Sequence, residues 1–249
     1  MSTYKADALV IRSREFKESD RLVTLFSREH GKINAVAKGV RKSTSKQRAG
    51  VQLYTYADFM LFKGRGLDTV QQAHPREVFL YLWEDYERIC SAGCMAEILD
   101  AATPDGEADG KVFSLSLRFL FMLEMIDPWL ALAAYGLRLM MHLGYLSDEG
   151  GTLLDAGTQL GAGVGSGTGV QPDTDRRYGE SFFFAEGFSL TEGSKNIMQR
   201  LCRMPWEQME RLRLSDPQRR EICRGLRIFC ENKVERKLKA WRSFEGEGP

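Results

Sequence analysis

Cysteine is sparse and unpatterned in this chain: Cys90, Cys94, Cys202, Cys223 and Cys230 make an odd five, with no Cys-x-x-Cys pair among them. A disulfide framework and a standard zinc site are therefore not written here, and buried free thiols are the expectation. Histidine is scarcer still. His30, His74 and His142 lie far apart, and nothing near His142 completes a His-x-x-x-His or Glu-x-x-His pattern, so a satisfied core or interface histidine is expected there. Neither a Gly-x-Ser-x-Gly elbow nor a Walker sequence appears; of the acidic clusters WEDYE and PDGEAD, which in principle offer carboxylates to a divalent cation, the second reads as a turn with solvated charge. An enzyme, a metal site and a cofactor are thus not expected.

Long apolar runs are also missing. The most apolar stretch, Val112 to Leu146, is cut by Arg118, Glu124, Asp127-Pro128, Arg138 and His142, so nothing approaches the roughly 18 residues of a spanning helix. The opening MSTYKADALVIRSREF has no apolar stretch behind its basic residues, which predicts no secretory signal, no membrane partner and a cytoplasmic chain.

What is present is charge, unevenly placed. The net charge is only +1, yet residues 1–80 carry 15 Lys and Arg against 8 Asp and Glu, residues 81–194 carry 6 against 18, and residues 195–249 carry 14 against 8. Two basic regions flank an acidic middle. The sharpest local excess is AKGVRKSTSKQR, Ala37 to Arg48, with Lys38, Arg41, Lys42, Lys46 and Arg48 and no carboxylate. Because Ser, Thr and Gln are the only polar neighbours, the run reads as a phosphate-contacting loop in preference to a merely solvated one.

The first eighty residues read as strands, since short β-branched and aromatic runs recur at about ten-residue spacing between turn signals. The expected strands are Ala6 to Arg12, Arg21 to Ser27, Lys32 to Lys38, Leu53 to Phe62 and Leu67 to Ala73, with Gly31 supplying the positive φ of a tight hairpin. Five strands with a longer basic connection fit a small closed barrel, OB-fold or SH3-like. In LYTYADFMLF, alternation puts Leu53, Thr55, Ala57, Phe59 and Leu61 on one face and Tyr54, Tyr56, Asp58, Met60 and Phe62 on the other; if the first face fills the barrel, Tyr54 and Tyr56 stand outside. There the two rings either stack on bases beside the basic loop or pack at a domain interface.

Beyond Pro75 the periodicity turns helical. Helices are expected over Glu77 to Ala102, Lys111 to Ile126, Trp129 to Leu143 and Glu192 to about Cys202, the second and third apolar enough for the centre of a bundle. A last helix is expected from Asp216 as N-cap, with Pro217 next, onward through Trp241. Between them, Glu149 to Asp175 holds eight glycines from Gly150 to Gly169 and reads as a flexible insertion, without the strand or the Lys-Ser/Thr that a phosphate-binding loop needs.

Several segments resemble the bacterial recombination mediator family RecO: Glu18-Ser19-Asp20-Arg21, His30-Gly31-Lys32, Ala37-Lys38-Gly39 leading into the basic loop, and Arg65-Gly66-Leu67. LRLMMHLGYL and FCENKVERKLKAWRSF are similar to later helices of that family. The resemblance implies an OB-fold over residues 1–78, followed by a helical domain over 79–249. It implies a non-enzymatic, nucleoid-associated protein that binds single- and double-stranded DNA, anneals complementary strands, and works with RecR and single-strand-binding protein to load RecA at gaps in recombinational repair. It places Lys38, Arg41, Lys42, Lys46 and Arg48 at DNA. Many relatives carry a four-cysteine zinc module after the Gly-Tyr helix. Residues 146–184 here hold no cysteine, so the insertion at about 149–175 stands in its place and no metal is expected. The basic residues Arg220, Arg224, Arg227, Lys233 and Lys237 of the last helix read as more DNA surface, as a docking place for the acidic tail of single-strand-binding protein, or as a solvated face. The rival function is an RNA-binding or assembly protein whose barrel presents a partner surface.

Overall fold

The computed structural model describes residues 2–42, 44–146 and 190–245. The expected flexible insertion at 149–175 lies outside these residues.

Five strands close into a barrel: β1 (Thr3–Phe16), β2 (Asp20–Ser27), β3 (Gly31–Ala37), β4 (Tyr56–Phe62) and β5 (Asp68–Glu77), in the order β1-β2-β3-β5-β4. β3 and β5 run parallel over Ala35–Ala37 and Asp68–Val70, every other pairing is antiparallel, and β4 against β1 completes the closure. This is the OB-fold arrangement. Its interior is filled by alternate residues, Ala6, Ala8 and Val10 from β1, Ile33, Ala35 and Ala37 from β3, and Ala57, Phe59 and Leu61 from β4. Small side chains let strands curve tightly around so few residues. A bulge after Val10 then redirects the remainder of β1.

Both tight turns of the first three strands use left-handed backbone. Lys17 takes φ 55° between β1 and β2, and Gly31 takes φ 62° at the β2–β3 hairpin. A Cβ on Gly31 would overlap the backbone carbonyl of Glu107, so the hairpin needs glycine for close approach as well as for φ.

The helical half comprises α1 (Tyr86–Ala102), α2 (Gly110–Met122), α3 (Pro128–His142), α4 (Glu192–Arg203), α5 (Trp206–Met209), α6 (Asp216–Val234) and α7 (Lys239–Phe244). The first begins nine residues later than periodicity suggests, because β5 runs on to Glu77 and a 3₁₀ turn at Leu80–Trp83 intervenes. Asp85 caps α1 by accepting the Arg88 N–H, Asp109 caps α2 by accepting from Lys111 and Val112, and Asp127 caps α3 ahead of Pro128. Of the two apolar helices, α3 is buried nearly all round, as expected of a central helix. α2 is not central, since Arg118 and Phe121 face outward.

The last expected helix is corrected at both ends. Ser215, paired with Gln218, is the N-cap in place of Asp216, and the chain breaks at Glu235 with φ 51°. Buried Glu231 accepts the Leu238 N–H at 2.9 Å, and Glu97 of α1 caps α7 by accepting from Lys239 and Ala240, each at 2.8 Å. The turn folds Trp241 into the core and stacks Phe244 on Trp129, 4.2 Å between centroids. A straight helix would have carried both rings into solvent.

Barrel and helices share one apolar core, in which Leu9, Ile11 and Phe26 from the barrel's outer face meet the helices. Across that seam the buried Lys32 ammonium donates to the carbonyls of Asp100 and Thr103, at 2.8 and 2.9 Å, and to the Asp100 carboxylate at 3.2 Å. Lys32→Ala would orphan the two carbonyls at the end of α1. The Asp100 carboxylate would keep Arg12 and Arg236, so the cost is expected at the low end for a broken buried pair, about 3 kcal/mol, read as a lower urea midpoint.

Candidate nucleic-acid interface

The basic run emerges where β3 ends, and both of its ends are pinned. Gly39 turns with φ 66° and its N–H donates to the Asp20 carboxylate at 2.8 Å, while the Arg41 N–H donates to the Ser19 carbonyl at 3.0 Å. Val40 and Val51 insert into the barrel core, and the Gln47 side chain donates to the Gln71 carbonyl at 2.6 Å. Held in this way, Lys38, Lys42, Lys46 and Arg48 stand exposed.

Arg41 differs from them. Its guanidinium donates to the Glu18 carbonyl and pairs with Glu15, both at 3.0 Å, and it is only partly exposed. The expectation that no carboxylate neutralises the run is therefore corrected at this residue. Glu15 is remote in sequence, but the β1–β2 hairpin brings it alongside. Arg41 acts as a strut that ties the loop to the hairpin.

The same hairpin delivers cations that the run in sequence did not announce. Arg14 and Lys17 are exposed at its end, and Arg21 lies opposite Ala37 in the β2–β3 ladder, donating to the Ser13 hydroxyl at 2.9 Å. In sequence they are interspersed with Glu15, Glu18 and Asp20, which hides them from a charge count. Only strand pairing shows that Asp20 is bound to Gly39 and Glu15 to Arg41.

Neither tyrosine joins this surface. Tyr54 precedes β4 with φ 64°, is 5% exposed, and packs into the shared core near Gly93 of α1. Burial pushes its phenol pKa well up. Tyr56 is half-buried, sets its ring edge-on to Phe113 of α2 at 6.0 Å and accepts a hydrogen bond from Arg76 at 2.8 Å; burial and then Asp7 raise its pKa. Both rings lie outside the barrel on the side that the helices cover, but so does Leu53, which alternation grouped with Ala57, Phe59 and Leu61, because the left-handed turn at Tyr54 interrupts the alternation before β4. The stacking role is thereby corrected to the interface one.

The five basic residues expected to act at the last helix stand in different settings. Arg227 pairs with Glu245 at 3.2 Å, Lys237 pairs with Glu231 at 3.1 Å beyond the end of α6, and Lys233 lies over the Phe229 ring at 5.7 Å. Arg220 and Arg224 remain exposed. Among the described residues no group of three or more His, Cys, Asp or Glu side chains is placed to hold a metal, and no helix is long and apolar enough to cross a membrane.

Comparison with known sequences sharpens this picture. Residues 1–79 match the family model described as Recombination protein O N terminal, and residues 83–148 with 167–242 match Recombination protein O C terminal. The chain belongs to the RecO family. A protein of Desulfitobacterium hafniense strain Y51 named DNA repair protein RecO is 44% identical over 97% of this chain and 89% of its own length. Its namesake in Heliobacterium modesticaldum is 34% identical over 100% and 91%, and that of Moorella thermoacetica 27% identical over 98% and 91%. The stretch inside the C-terminal match that the RecO model skips, 149–166, falls within the glycine-rich sequence.

Tyr54 yields a test of its corrected placement. Tyr54→Ala is expected to destabilise the fold by about 3–5 kcal/mol, as for other buried aromatics. Nucleic-acid affinity, measured well below the melting temperature, should be unchanged; a loss of affinity in a fully folded variant would return the ring to the binding surface.

Proposed function

We propose that this chain acts in recombinational DNA repair as a binding and annealing protein, with residues 1–78 as the nucleic-acid unit and 79–249 as the helical unit. The observation that carries the reading is the cluster of four exposed cations, Lys38, Lys42, Lys46 and Arg48, held at one end of an OB-fold barrel beside Arg14 and Lys17. Such a surface meets phosphates of single-stranded and duplex DNA alike, with little sequence preference. The names of the RecO relatives support the repair role.

Annealing follows from electrostatics. Two complementary strands repel along their backbones, and a shared cationic surface lowers that repulsion while raising their local concentration. Base pairing supplies the driving force, and no covalent step is needed. A strand held and released in this way suits a mediator that prepares gaps for RecA together with RecR and single-strand-binding protein, as the family resemblance implies.

The test is the salt dependence of binding. If about four phosphates of a single strand are engaged, log K falls with log salt at a slope near −2.8. Changing Lys42, Lys46 and Arg48 together to Ala should flatten the slope by about 2.1, whereas an unchanged slope removes the loop from the interface. Strand-annealing rates with DNA and RNA competitors at equal salt separate this reading from the RNA-binding one; preferential binding of RNA without annealing would favour the latter.

A further inference from the structure

Beside the basic loop the barrel carries two adjoining clefts of about 440 Å³ each, which share Ser13 and Leu53 as their common wall. One is lined by Arg12, Arg14, Leu22 and Asn34 among others, and the second by Arg21, Arg48, Gln52 and Trp83. Four arginines thus line this pair of adjoining clefts, together a trough divided at Ser13 and Leu53, and no carboxylate lines either part. In a chain with 34 acidic residues against 35 basic ones, that exclusion is informative. Arg12 is paired with Asp100 at 3.1 Å, while Arg21 donates to a neutral hydroxyl and Arg14 and Arg48 are exposed. A roomier cleft of about 520 Å³ elsewhere on the barrel mixes Lys32 and Lys63 with Glu29, Asp68 and Asp105, and has no comparable bias toward an anion.

Trp83 supplies the second observation. The 3₁₀ turn at Leu80–Trp83 buries Leu82 completely and leaves the indole 58% exposed. The other three tryptophans, Trp129, Trp206 and Trp241, are all buried. An open indole on the wall of an arginine-lined trough offers a flat π surface beside positive charge. The ligand that satisfies both is a polyanion with accessible ring faces. Duplex DNA hides those faces in its own stack, whereas a single strand presents them.

We propose that this trough seats an extended single strand of nucleic acid, with one base stacked on Trp83 and its flanking phosphates on Arg48, Arg21 and Arg14. The inference rests on the binding function proposed above and deepens it. The loop cations take either form of DNA, and the trough adds a preference for the unpaired strand. Tyr54 and Tyr56, the aromatics that alternation had set outside the barrel, are thereby replaced in the stacking role by a tryptophan from the connection to the helices.

Because Trp83 is the exposed indole of the four, intrinsic fluorescence of the full chain reports on it directly. Titration with an oligothymidylate of about 12 nucleotides is expected to quench the solvent-exposed emission in a saturable way, and a strand with abasic sites in place of bases should not. Trp83→Ala is expected to weaken oligothymidylate binding by about tenfold, in line with the loss of one stacked base. It should leave both the salt slope and duplex affinity as they were. Trp83→Phe should recover much of the lost affinity. Arg14→Ala and Arg48→Ala together should instead flatten the single-strand slope by about 1.4. Saturable binding without quenching, or a Trp83→Ala affinity within twofold of the parent, overturns the trough while the loop reading stands. Failure of the parent chain to bind any DNA at low salt overturns both.

Discussion

The relation of barrel to helices turns on one ammonium group. Lys32, second residue of β3, reaches across the seam to the carbonyls and carboxylate at the C-terminal end of α1, and Asp105 adds a further pair at 3.2 Å. A cation there complements both the unsatisfied carbonyls and the negative end of the helix dipole. Asp100 is also met by Arg12 from β1 and Arg236 from the turn after α6. One carboxylate therefore gathers two strands, one helix terminus and the C-terminal turn. Such a group repays its desolvation only because every partner is present.

That fixture decides which part of the barrel faces water. On the outer face of β1–β2–β3, Leu9, Phe26 and Lys32 form one cross-strand row, and α2 covers it through Phe113, stacked 6.4 Å from Phe26. The next row, Arg12, Thr24 and Asn34, borders the helices, with Arg12 and Asn34 held by Asp100 and Asp105. The row beyond, Arg14, Leu22 and Val36, is left open toward the basic loop. Apolar burial against the helices and cationic exposure to solvent are thus two consequences of one docking geometry. Arg41, tied to Glu15 and the Glu18 carbonyl, then sets the loop beside the hairpin. As an ion pair near the surface it adds only about 0–1 kcal/mol, so its effect is on position more than on stability.

Much of the barrel was legible in the sequence, because period-two alternation separates the inside of a closed sheet from its outside and Gly31 marks the hairpin. Alternation does not say whether the outside is wet. Tyr54 and Tyr56 share one face by alternation, yet it is the helices, distant in sequence, that bury Tyr54 and half-bury Tyr56. The basic loop was legible as an uninterrupted run. Its partners were not, since the Arg41–Glu15 pair and the approach of Arg14 and Arg21 are products of strand pairing. The break after α6 was hidden for a related reason: periodicity continues through Leu238 and Trp241, and only Glu231 and Glu97, which capture the backbone N–H groups beyond Glu235, show why the chain turns.

The same bookkeeping explains the acidic middle of the chain. Asp85, Asp109 and Asp127 each cap a helix, Glu97 caps α7 from its side, and Asp100 closes the seam. Each of these carboxylates is engaged where it stands by backbone N–H groups or by a paired cation. At physiological ionic strength a surface charge is screened beyond about 8 Å. A phosphate approaching Lys42 or Arg48 therefore responds to the loop and hairpin cations near it, and not to the net charge of the chain. Near-neutrality of the whole molecule and a strongly cationic barrel end are compatible because acidic residues such as Asp85, Asp109 and Asp127 serve folding where they stand, while Lys38, Lys42, Lys46 and Arg48 stand exposed together.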